Sequence, residues 1–282
     1  MTRVIVHAGF HKTGTTSLQS FLKRNTDALA PYAAIYLQRA LKRARYLGRI
    51  YGQRPVFWRR WMFRRGFREF LASIPDAPTI VISRESFSGM MLGYRGARLR
   101  RCRRYAPMAI PLAREITREL RRRFGPEVEI EFLYTTREGE SFLKSTWGHV
   151  LRTSRLTLDY ESFRASFGSL PDLEAEAREI AEAIAPVPVF IAPLESFGPD
   201  RFGPARALLD MLDLPAEVEA GLKPAMRNNP GQSEALSQRF LEMNRGNMRG
   251  RALYSAKVTI AMDERPAATR RKPKYPKAGQ QS

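Results

Sequence analysis

The sequence predicts an α/β fold in which helices flank a mainly parallel β-sheet. Three observations support this fold class. Short runs of β-branched residues alternate along the chain with segments that have the apolar spacing of helices. A loop rich in glycine and threonine connects the first of these runs to a helical segment. The chain has 282 residues, of which 43% are hydrophobic, so it can bury one sizeable core.

Four buried strands are predicted from runs of β-branched and aromatic residues. They are Val4–Val6, Thr79–Ser83, Glu129–Tyr134 and Val187–Ile191. Helical patterns separate these runs, as the crossover connections of a parallel sheet require. Ligands of open α/β sheets bind at the carboxyl ends of the strands. The residues that directly follow each run are therefore the first candidates for a functional site.

Helices are predicted between the strands from apolar residues at helical spacing. Leu18 and Leu22 indicate a helix directly after the glycine-containing loop. Residues 107–124 carry apolar side chains on one face and arginines on the other. Asp172 is a favourable N-cap for a further helix that continues to Ala185.

Two strongly basic regions depart from this alternation. Between Arg39 and Arg68 there are eleven basic residues and no acidic residue, with aromatic residues interleaved. We expect a basic helical insertion at residues 39–73 within a single domain that spans residues 1–264. Residues 265–282 contain six basic residues and three prolines, so we expect this tail to be disordered.

The composition restricts the classes of partner and site. A formal net charge of +20 indicates an anionic partner, such as phosphate, sulfate, an acidic glycan, nucleic acid or lipid. The single cysteine excludes a disulfide framework, and three histidines with one thiol are too few for a zinc site, so no metal is expected. The chain lacks the long apolar run of a signal peptide or membrane span. We therefore expect a cytoplasmic protein, with peripheral membrane contact as an alternative.

The loop after the first strand has the composition of an anion-binding site. It reads Gly9-Phe10-His11-Lys12-Thr13-Gly14-Thr15-Thr16-Ser17 and leads directly into a helix. Small residues allow successive N–H groups to converge, and the helix N-terminus adds partial positive charge. The threonine and serine hydroxyls can donate further hydrogen bonds, and the lysine supplies a full positive charge.

This loop differs from the ATP-binding loop of kinases and ATPases. Counting the pattern G-x-x-x-x-G-K-[ST] from Gly9 reaches Gly14, but Thr15 then occupies the position of the lysine. No apolar run ends in an aspartate that is suited to hold magnesium. A nucleotide kinase with an aberrant loop is therefore kept as an alternative, and it predicts dependence on ATP and magnesium.

The order His11-Lys12-Thr13-Gly14-Thr15-Thr16 after a first strand resembles the 5′-phosphosulfate loop of sulfotransferases that use 3′-phosphoadenosine 5′-phosphosulfate (PAPS). A second family signature is an arginine at a strand end with a serine eight residues later, and Arg137 and Ser145 match this spacing. The resemblance implies a P-loop-like sulfotransferase domain that holds the 3′-phosphate with these two residues and needs no metal. The residues implied to bind the 5′ side are His11, Lys12, Thr13, Gly14, Thr15, Thr16 and Ser17.

The resemblance covers nearly the whole chain to Arg245 and is closer to bacterial and carbohydrate-type members than to those that act on small phenols. Within it, residues 227–236 are similar to a segment that packs over the nucleotide. One departure concerns the loop after Arg137. Glu138-Gly139 stands where the family often has Asn-Pro or Asp-Pro, so we expect this loop to differ in shape.

Sulfuryl transfer requires charge stabilisation on the leaving oxygen and a base for the proton of the acceptor. Lys12 is suited to the first role. Glu85 follows the predicted strand Thr79–Ser83, and the resemblance implies that a glutamate at such a strand end is the base. His11 is the alternative base. Arg84 is expected to pair with Glu85 or with the sulfuryl oxygens.

The function implied by the resemblance is transfer of a sulfuryl group from PAPS to a hydroxyl or amine of an acceptor, first of all a carbohydrate or glycolipid.

The sequence is compatible with several roles for the segment from Arg39 to Arg68. They are an acceptor-binding wall, a membrane-surface helix, a nucleic-acid patch and a packed subdomain with a solvated basic face. A basic nucleic-acid-binding protein is the main alternative outside enzymes, because a charge of +20 with interleaved aromatics is typical of that class. A nucleic-acid-binding function would leave the anion-binding loop unexplained, so nucleic acid is not the expected partner.

Overall fold

A computed structural model describes residues 1–97, 100–226 and 232–263. Its centre is a five-stranded sheet in which all pairings are parallel and the strand order is β2-β3-β1-β4-β5. The strands are β1 (Arg3–His7), β2 (Ala34–Tyr36), β3 (Thr79–Ser83), β4 (Glu129–Thr136) and β5 (Val189–Pro193). The predicted α/β class with a parallel sheet and flanking helices is confirmed, and the architecture is compatible with a P-loop-like fold.

The helices lie between and after these strands. They are α1 (Thr15–Arg24), α2 (Thr26–Leu29), α3 (Ala44–Gln53), α4 (Phe57–Leu71), α5 (Ala106–Phe124), α6 (Gly139–Thr153), α7 (Tyr160–Ala165), α8 (Leu173–Ile184), α9 (Arg206–Leu212), α10 (Ala216–Gly221), α11 (Glu234–Arg245) and α12 (Gly250–Asp263). A short 3-10 helix at Glu85–Ser88 directly follows β3. In the part of the chain that the structure describes, no helix combines the length and apolar character needed to cross a bilayer.

The four predicted strands are present, but one strand was missed and one was predicted two residues too early. The missed strand, β2, has only three residues, all half-buried, at the edge of the sheet, so it lacks a long apolar run. β5 begins at Val189 and not at Val187, because the N–H of Val187 donates to the carbonyl of Ile184 and closes the turn after α8.

One face of the sheet packs against α1 and α9. Ile5, Val81 and Leu133 come from neighbouring strands, and all three are buried in a cluster with apolar residues of these helices, including Leu18 and Leu208. Burial of this shared face stabilises the fold by about 25 cal/mol for each Å² of apolar surface removed from water. The packing also orients α1 so that its N-terminus lies at the carboxyl end of β1.

The predicted helix over residues 107–124 is confirmed as α5, and the predicted cap of α8 is confirmed as well. Asp172 accepts a hydrogen bond of 2.8 Å from the N–H of Ala175.

α8 also places the buried carboxylate of Glu176 at the start of α5. This carboxylate accepts hydrogen bonds from the N–H groups of Tyr105 (2.5 Å) and Ala106 (2.7 Å), which satisfies donors that the helix itself leaves free.

The basic insertion consists of two helices, α3 and α4, which pack against each other and against the turn after β3. A Cβ atom at Gly66 of α4 would lie 2.4 Å from Leu47 of α3. A Cβ atom at Gly48 of α3 would lie 1.9 Å from the carbonyl oxygen of Ser86. Glycine at both positions therefore permits close packing, and the insertion is a packed part of the fold with one buried face.

The described residues divide into two compact units. One unit comprises the described residues of 1–146 and 164–226 and contains the whole sheet, whereas the other comprises residues 147–163 and 232–263. Within the second unit, Lys257 donates hydrogen bonds to the carbonyls of Leu151 (2.7 Å) and Ser154 (2.8 Å). Residues 227–231 of the segment expected to cover the nucleotide, and the whole tail 265–282, lie outside the described residues.

Candidate functional site

The candidate site is located at the carboxyl edge of the sheet. β1 is the central strand and pairs in parallel with β3 on one side and with β4 on the other. The carboxyl ends of these three strands therefore meet at one edge, at the point where the strand order reverses, which is where open α/β sheets bind ligands. The segments that follow β1, β3 and β4 carry the predicted residues Lys12, Glu85 and Arg137.

The loop after β1 contains two residues with a left-handed backbone conformation. Lys12 has φ 68° and Gly14 has φ 89°, both in the left-handed region that side-chain-bearing residues seldom adopt. A Cβ atom at Gly14 would also lie 2.6 Å from Cγ of Pro204 and 2.9 Å from Cδ1 of Leu194. Glycine is required at this position both for the backbone angle and for the close approach of these side chains.

The N-terminus of α1 offers open hydrogen-bond donors. The first hydrogen bonds of this helix run from the N–H groups of Ser17 (2.9 Å) and Leu18 (3.1 Å) to the carbonyl of Gly14. The N–H groups of Thr15 and Thr16 precede them. Among the described residues no side chain caps this end by a hydrogen bond, and the first turn contains no acidic residue. An anion is favoured here by both the donors and the helix dipole.

Two of the loop hydroxyls are used by the loop itself. The buried hydroxyl of Thr13 donates to the carbonyl of Phe10 at 2.6 Å and lies 2.7 Å from the hydroxyl of Thr135 in β4. The hydroxyl of Thr15 also points to the carbonyl of Phe10, at 3.4 Å. These side chains hold the shape of the loop, so their contribution to an anion would come from backbone N–H groups. Thr16 is exposed and Ser17 is half-buried.

Arg137 links the end of β4 to the loop after β1. Its Nη1 donates to the carbonyl of Lys12 at 3.3 Å, and its Nε donates to the hydroxyl of Ser141 at 2.8 Å. Burial lowers the pKa of Arg137, whereas the carboxylates of Glu195 and Glu138 act in the opposite direction. The structure thus brings together two of the residues that the sequence predicts to bind one nucleotide, although they are 125 residues apart.

Ser141 is a candidate site residue that the sequence prediction did not include. It lies four residues after Arg137, in the first turn of α6, and it contacts the guanidinium directly. Ser145, the predicted partner, lies one turn further along the same helix and is half-buried. The spacing of four residues from Arg137 was visible in the sequence. The choice between the two serines depends on where α6 begins, which only the structure shows.

The loop after Arg137 places a carboxylate cap on the N-terminus of α6. Glu138 accepts hydrogen bonds from the N–H groups of Glu140 (2.8 Å) and Ser141 (2.7 Å), and its own N–H donates to Glu195 at 3.1 Å. The N-terminus of α6 is therefore already occupied by a negative charge. An anionic group bound at Arg137 would be close to two carboxylates.

Glu85 is held in position by two neighbouring side chains. One carboxylate oxygen forms an ion pair of 2.7 Å with Arg84, and the other accepts a hydrogen bond of 3.2 Å from the amide of Gln19 in α1. Burial raises the pKa of Glu85, but the positive charge of Arg84 and the hydrogen bonds outweigh it, so the pKa is below the usual value. The side chain is 23% exposed. Glu85 is thus an oriented, ionised and accessible carboxylate.

The amide of Gln19 extends this arrangement into the sheet. Besides Glu85, it donates to the hydroxyl of Ser83 at 3.2 Å, and that hydroxyl lies 2.7 Å from Nδ1 of His7. His7 is fully buried, and burial lowers its pKa to about 4, so its ring is neutral near pH 7. These three residues were not predicted as part of the site, because a glutamine and a buried histidine carry no local signal for such a role.

His11, the alternative base, has a different environment. Burial lowers the pKa of His11 to about 4, and nearby basic side chains act in the same direction, whereas Glu85 opposes them. Its Nδ1 lies 3.3 Å from the hydroxyl of the buried Tyr105, and the two rings stack at 5.9 Å. The imidazole is therefore neutral near pH 7, and it lies against Tyr105, whereas Glu85 is held by Arg84 and Gln19.

A comparison with protein-family models and with curated proteins finds no match for this chain. Among the described residues, no group of three or more histidine, cysteine, aspartate and glutamate side chains is placed to hold a metal ion.

Proposed function

We propose that this protein is a sulfotransferase that moves the sulfuryl group of PAPS to an acceptor hydroxyl or amine. The observation that supports the proposal most strongly is the hydrogen bond between Arg137 and the carbonyl of Lys12. It joins the two separate sequence signatures of the family at one edge of the sheet. Two anion-binding elements at adjacent strand ends suit a nucleotide with phosphates at both ends of its ribose.

The residues present fit this nucleotide. The loop after β1 offers a helix N-terminus without a side-chain cap among the described residues and without an acidic residue in its first turn. This end would hold the 5′-phosphosulfate. Lys12 would neutralise the charge that develops on the phosphate oxygen. Arg137, with Ser141 or Ser145, would hold the 3′-phosphate through charged hydrogen bonds.

The bound nucleotide supplies a sulfuryl group whose bond to the phosphate oxygen breaks as the acceptor oxygen or nitrogen forms its bond to sulfur. Glu85 takes the proton of the acceptor during this step. Its low pKa makes it ionised near pH 7, and the acceptor becomes acidic enough to release its proton as the new bond forms. Arg84 and Gln19 hold the carboxylate so that little reorganisation is needed in the transition state.

The proposal extends to the acceptor and to the type of fold. A carbohydrate or glycolipid hydroxyl is the acceptor that the similarity to bacterial and carbohydrate-type sulfotransferases favours. We assign the parallel sheet to the sulfotransferase version of the P-loop-like fold, and we place the reaction in the cytoplasm. Neither a metal ion nor nucleic acid is part of the proposed reaction.

Calorimetry tests the nucleotide half of the proposal. We expect 3′-phosphoadenosine 5′-phosphate to bind with the same affinity in the presence and absence of a chelator, and more tightly than ATP with magnesium. Preference for ATP with magnesium would support a nucleotide kinase instead.

Transfer of radiolabelled sulfate from PAPS to a panel of glycans, glycolipids and phenols then tests the reaction and identifies the acceptor class. Tight nucleotide binding without transfer to any acceptor of these classes would contradict the proposed acceptor.

A further inference from the structure

The start of α4 exposes three large aromatic side chains. Phe57 is 75% exposed, Trp58 is 44% exposed and Trp61 is 48% exposed. The first two are adjacent and the third lies one turn further on, so all three belong to the first turns of one helix. Large apolar side chains that are exposed together indicate an interaction surface more often than singly exposed ones do.

These aromatic residues are not needed for packing within the fold. The opposite face of α4 supplies Phe63, Phe67 and Phe70, which are all fully buried, and the first two also contact Phe87. The helix therefore has two aromatic surfaces. One completes the core, whereas the other, formed by residues 57, 58 and 61, is exposed to water.

Arginines surround the exposed rings. The guanidinium of Arg54 lies over the ring of Trp58 at 5.8 Å, and that of Arg65 lies over the ring of Trp61 at 5.7 Å. The side chain of Arg65 is 62% exposed, and its carboxylate partner, Glu69, follows one turn later. No acidic residue occurs between residues 39 and 68. The surface is thus apolar at its centre and positively charged around it.

We propose that the start of α4 is a docking surface for an anionic lipid bilayer. Phe57, Trp58 and Trp61 enter the interfacial layer, where aromatic rings are favoured and the indole N–H groups of the two tryptophans stay in contact with water or headgroups. Arg54 and Arg65 remain at the level of the phosphate groups and contact anionic lipids. Because the apolar residues occupy only the first turns of the helix, contact is shallow and reversible.

The ring arrangement favours a lipid surface over nucleic acid. Single-stranded nucleic acid binds basic proteins by stacking bases on open aromatic faces. Here a guanidinium already lies over a face of each tryptophan, and Phe57 packs edge-on against Trp58 at 5.1 Å and 87°. The rings therefore form a compact protruding cluster. Such a cluster can be inserted into a bilayer interface, whereas it offers few flat faces for stacking.

The structure also shows which of the basic residues are available to lipids. Arg59 donates a hydrogen bond of 2.7 Å to the carbonyl of Ile50, and Arg60 pairs with Glu115 at 3.4 Å. These two arginines hold α4 to the rest of the fold. Arg65 also pairs with a carboxylate, that of Glu69 at 3.1 Å, but both side chains of this pair lie at the surface, and Arg65 is 62% exposed. The charges to test are therefore Arg54 and Arg65, which flank the exposed rings.

Sedimentation with lipid vesicles tests this docking surface in the absence of nucleotide and acceptor, so the result is independent of the proposed reaction. The vesicles contain phosphatidylcholine alone or with roughly one-third phosphatidylserine. We expect binding to the anionic vesicles only. The triple variant F57S/W58S/W61S should weaken binding at least about tenfold, because affinity depends on the apolar area that is buried. The matched control is Tyr254→Ser, which removes an exposed aromatic residue (47%) of α12 and should leave binding unchanged.

Tryptophan fluorescence gives a second readout. The chain has three tryptophans, and two of them belong to the proposed surface. Emission should shift to shorter wavelength when anionic vesicles are added. The triple variant retains only Trp147 and should show no shift, and its thermal unfolding should match that of the wild type. The double variant R54Q/R65Q should keep the rings but lose much of the salt dependence of binding.

Three results would overturn the proposal. They are failure of the wild type to bind anionic vesicles, equal binding by the folded triple variant, and equal binding to vesicles of phosphatidylcholine alone. Binding of a single-stranded oligonucleotide that depends on residues 57, 58 and 61, without vesicle binding, would assign the surface to nucleic acid instead.

Discussion

The segments that follow β1 and β3 are neighbours in the sheet, but they are built in opposite ways. The loop after β1 is a backbone structure, in which threonine hydroxyls hold the loop and the start of α1 has no capping side chain among the described residues. The turn after β3 is a side-chain structure, in which Glu85 is held by Arg84 and Gln19. A site that exposes donors is suited to bind an anion. A carboxylate with its partners already in place is suited to accept a proton with little rearrangement.

This comparison predicts different consequences for changes on the two sides. Changes in the loop after β1 and at Arg137 should affect nucleotide binding or charge stabilisation. Changes in the turn after β3 should affect proton transfer while nucleotide binding remains normal.

The largest expected effect is that of Glu85→Gln. This substitution keeps the size of the side chain and removes its basicity. Turnover should fall by roughly 10²–10⁴-fold, the usual contribution of a general base, while 3′-phosphoadenosine 5′-phosphate binds normally. Steady-state kinetics and calorimetry measure the two quantities separately. Near-normal turnover would exclude Glu85 as the base and direct attention to His11.

The next effect is that of Lys12→Ala. If the lysine stabilises charge that develops only in the transition state, kcat should fall by roughly 10²–10³-fold with a much smaller change in nucleotide affinity. The positive φ of Lys12 is a reason to include Lys12→Gly, which adopts this backbone without strain. Equal kcat values for the two variants would show that the missing charge, and not the backbone, is responsible. A change in KM alone would refute the proposed role.

A smaller effect is expected at Arg137. A charged hydrogen bond contributes about 1.5–3 kcal/mol to binding. Arg137→Ala should therefore lower the affinity for 3′-phosphoadenosine 5′-phosphate by about 10–150-fold. Adenosine 5′-phosphosulfate, which lacks the 3′-phosphate, should bind almost as it does to the wild type. Ser141→Ala and Ser145→Ala, measured side by side, decide which serine assists the arginine. Equal losses for both nucleotides would remove the assignment of Arg137 to the 3′-phosphate.

Glu138→Gln should strengthen nucleotide binding. The carboxylate of Glu138 caps α6 and acts electrostatically on Arg137, so it opposes an arriving phosphate. Removing its charge should tighten binding of the 3′-phosphorylated nucleotide about two- to tenfold at low ionic strength, and less at high salt. The control is Glu174→Gln, a carboxylate on α8 that pairs with Arg178. Weaker binding by the Glu138 variant would mean that its cap of α6 matters more than its charge.

The smallest expected effect is a shift in the pH dependence of kcat/KM, caused by Gln19→Leu. The hydrogen bond from Gln19 is one of the interactions that lower the pKa of Glu85, so Gln19→Leu should raise this pKa. The wild type should lose activity only as the pH falls through the lowered pKa of Glu85. In the variant, the acidic limb of the kcat/KM profile should move to higher pH. An unchanged acidic limb would show that Gln19 does not act on Glu85.

Much of the fold could be predicted because its signals are local. The β-branched runs of β1, β3 and β4, the N-cap at Asp172 and the loop from Gly9 to Ser17 are each visible within a few residues. β2 could not be predicted, since a three-residue edge strand with half-buried residues has no apolar run of its own. Its pairing with β3 is the result of tertiary packing.

The candidate site shows the same division. The sequence by itself determined which segments carry the charged groups, because Lys12, Glu85 and Arg137 each follow a strand signal. Their meeting at one edge follows from the parallel pairing of β1 with β3 and β4. Only the tertiary structure decided the partners of these groups: Gln19 for Glu85, and Ser141 and the carbonyl of Lys12 for Arg137. Hydrogen bonds depend on distances of a few tenths of an ångström between side chains from different elements, and such distances are set by packing and not by local residue patterns.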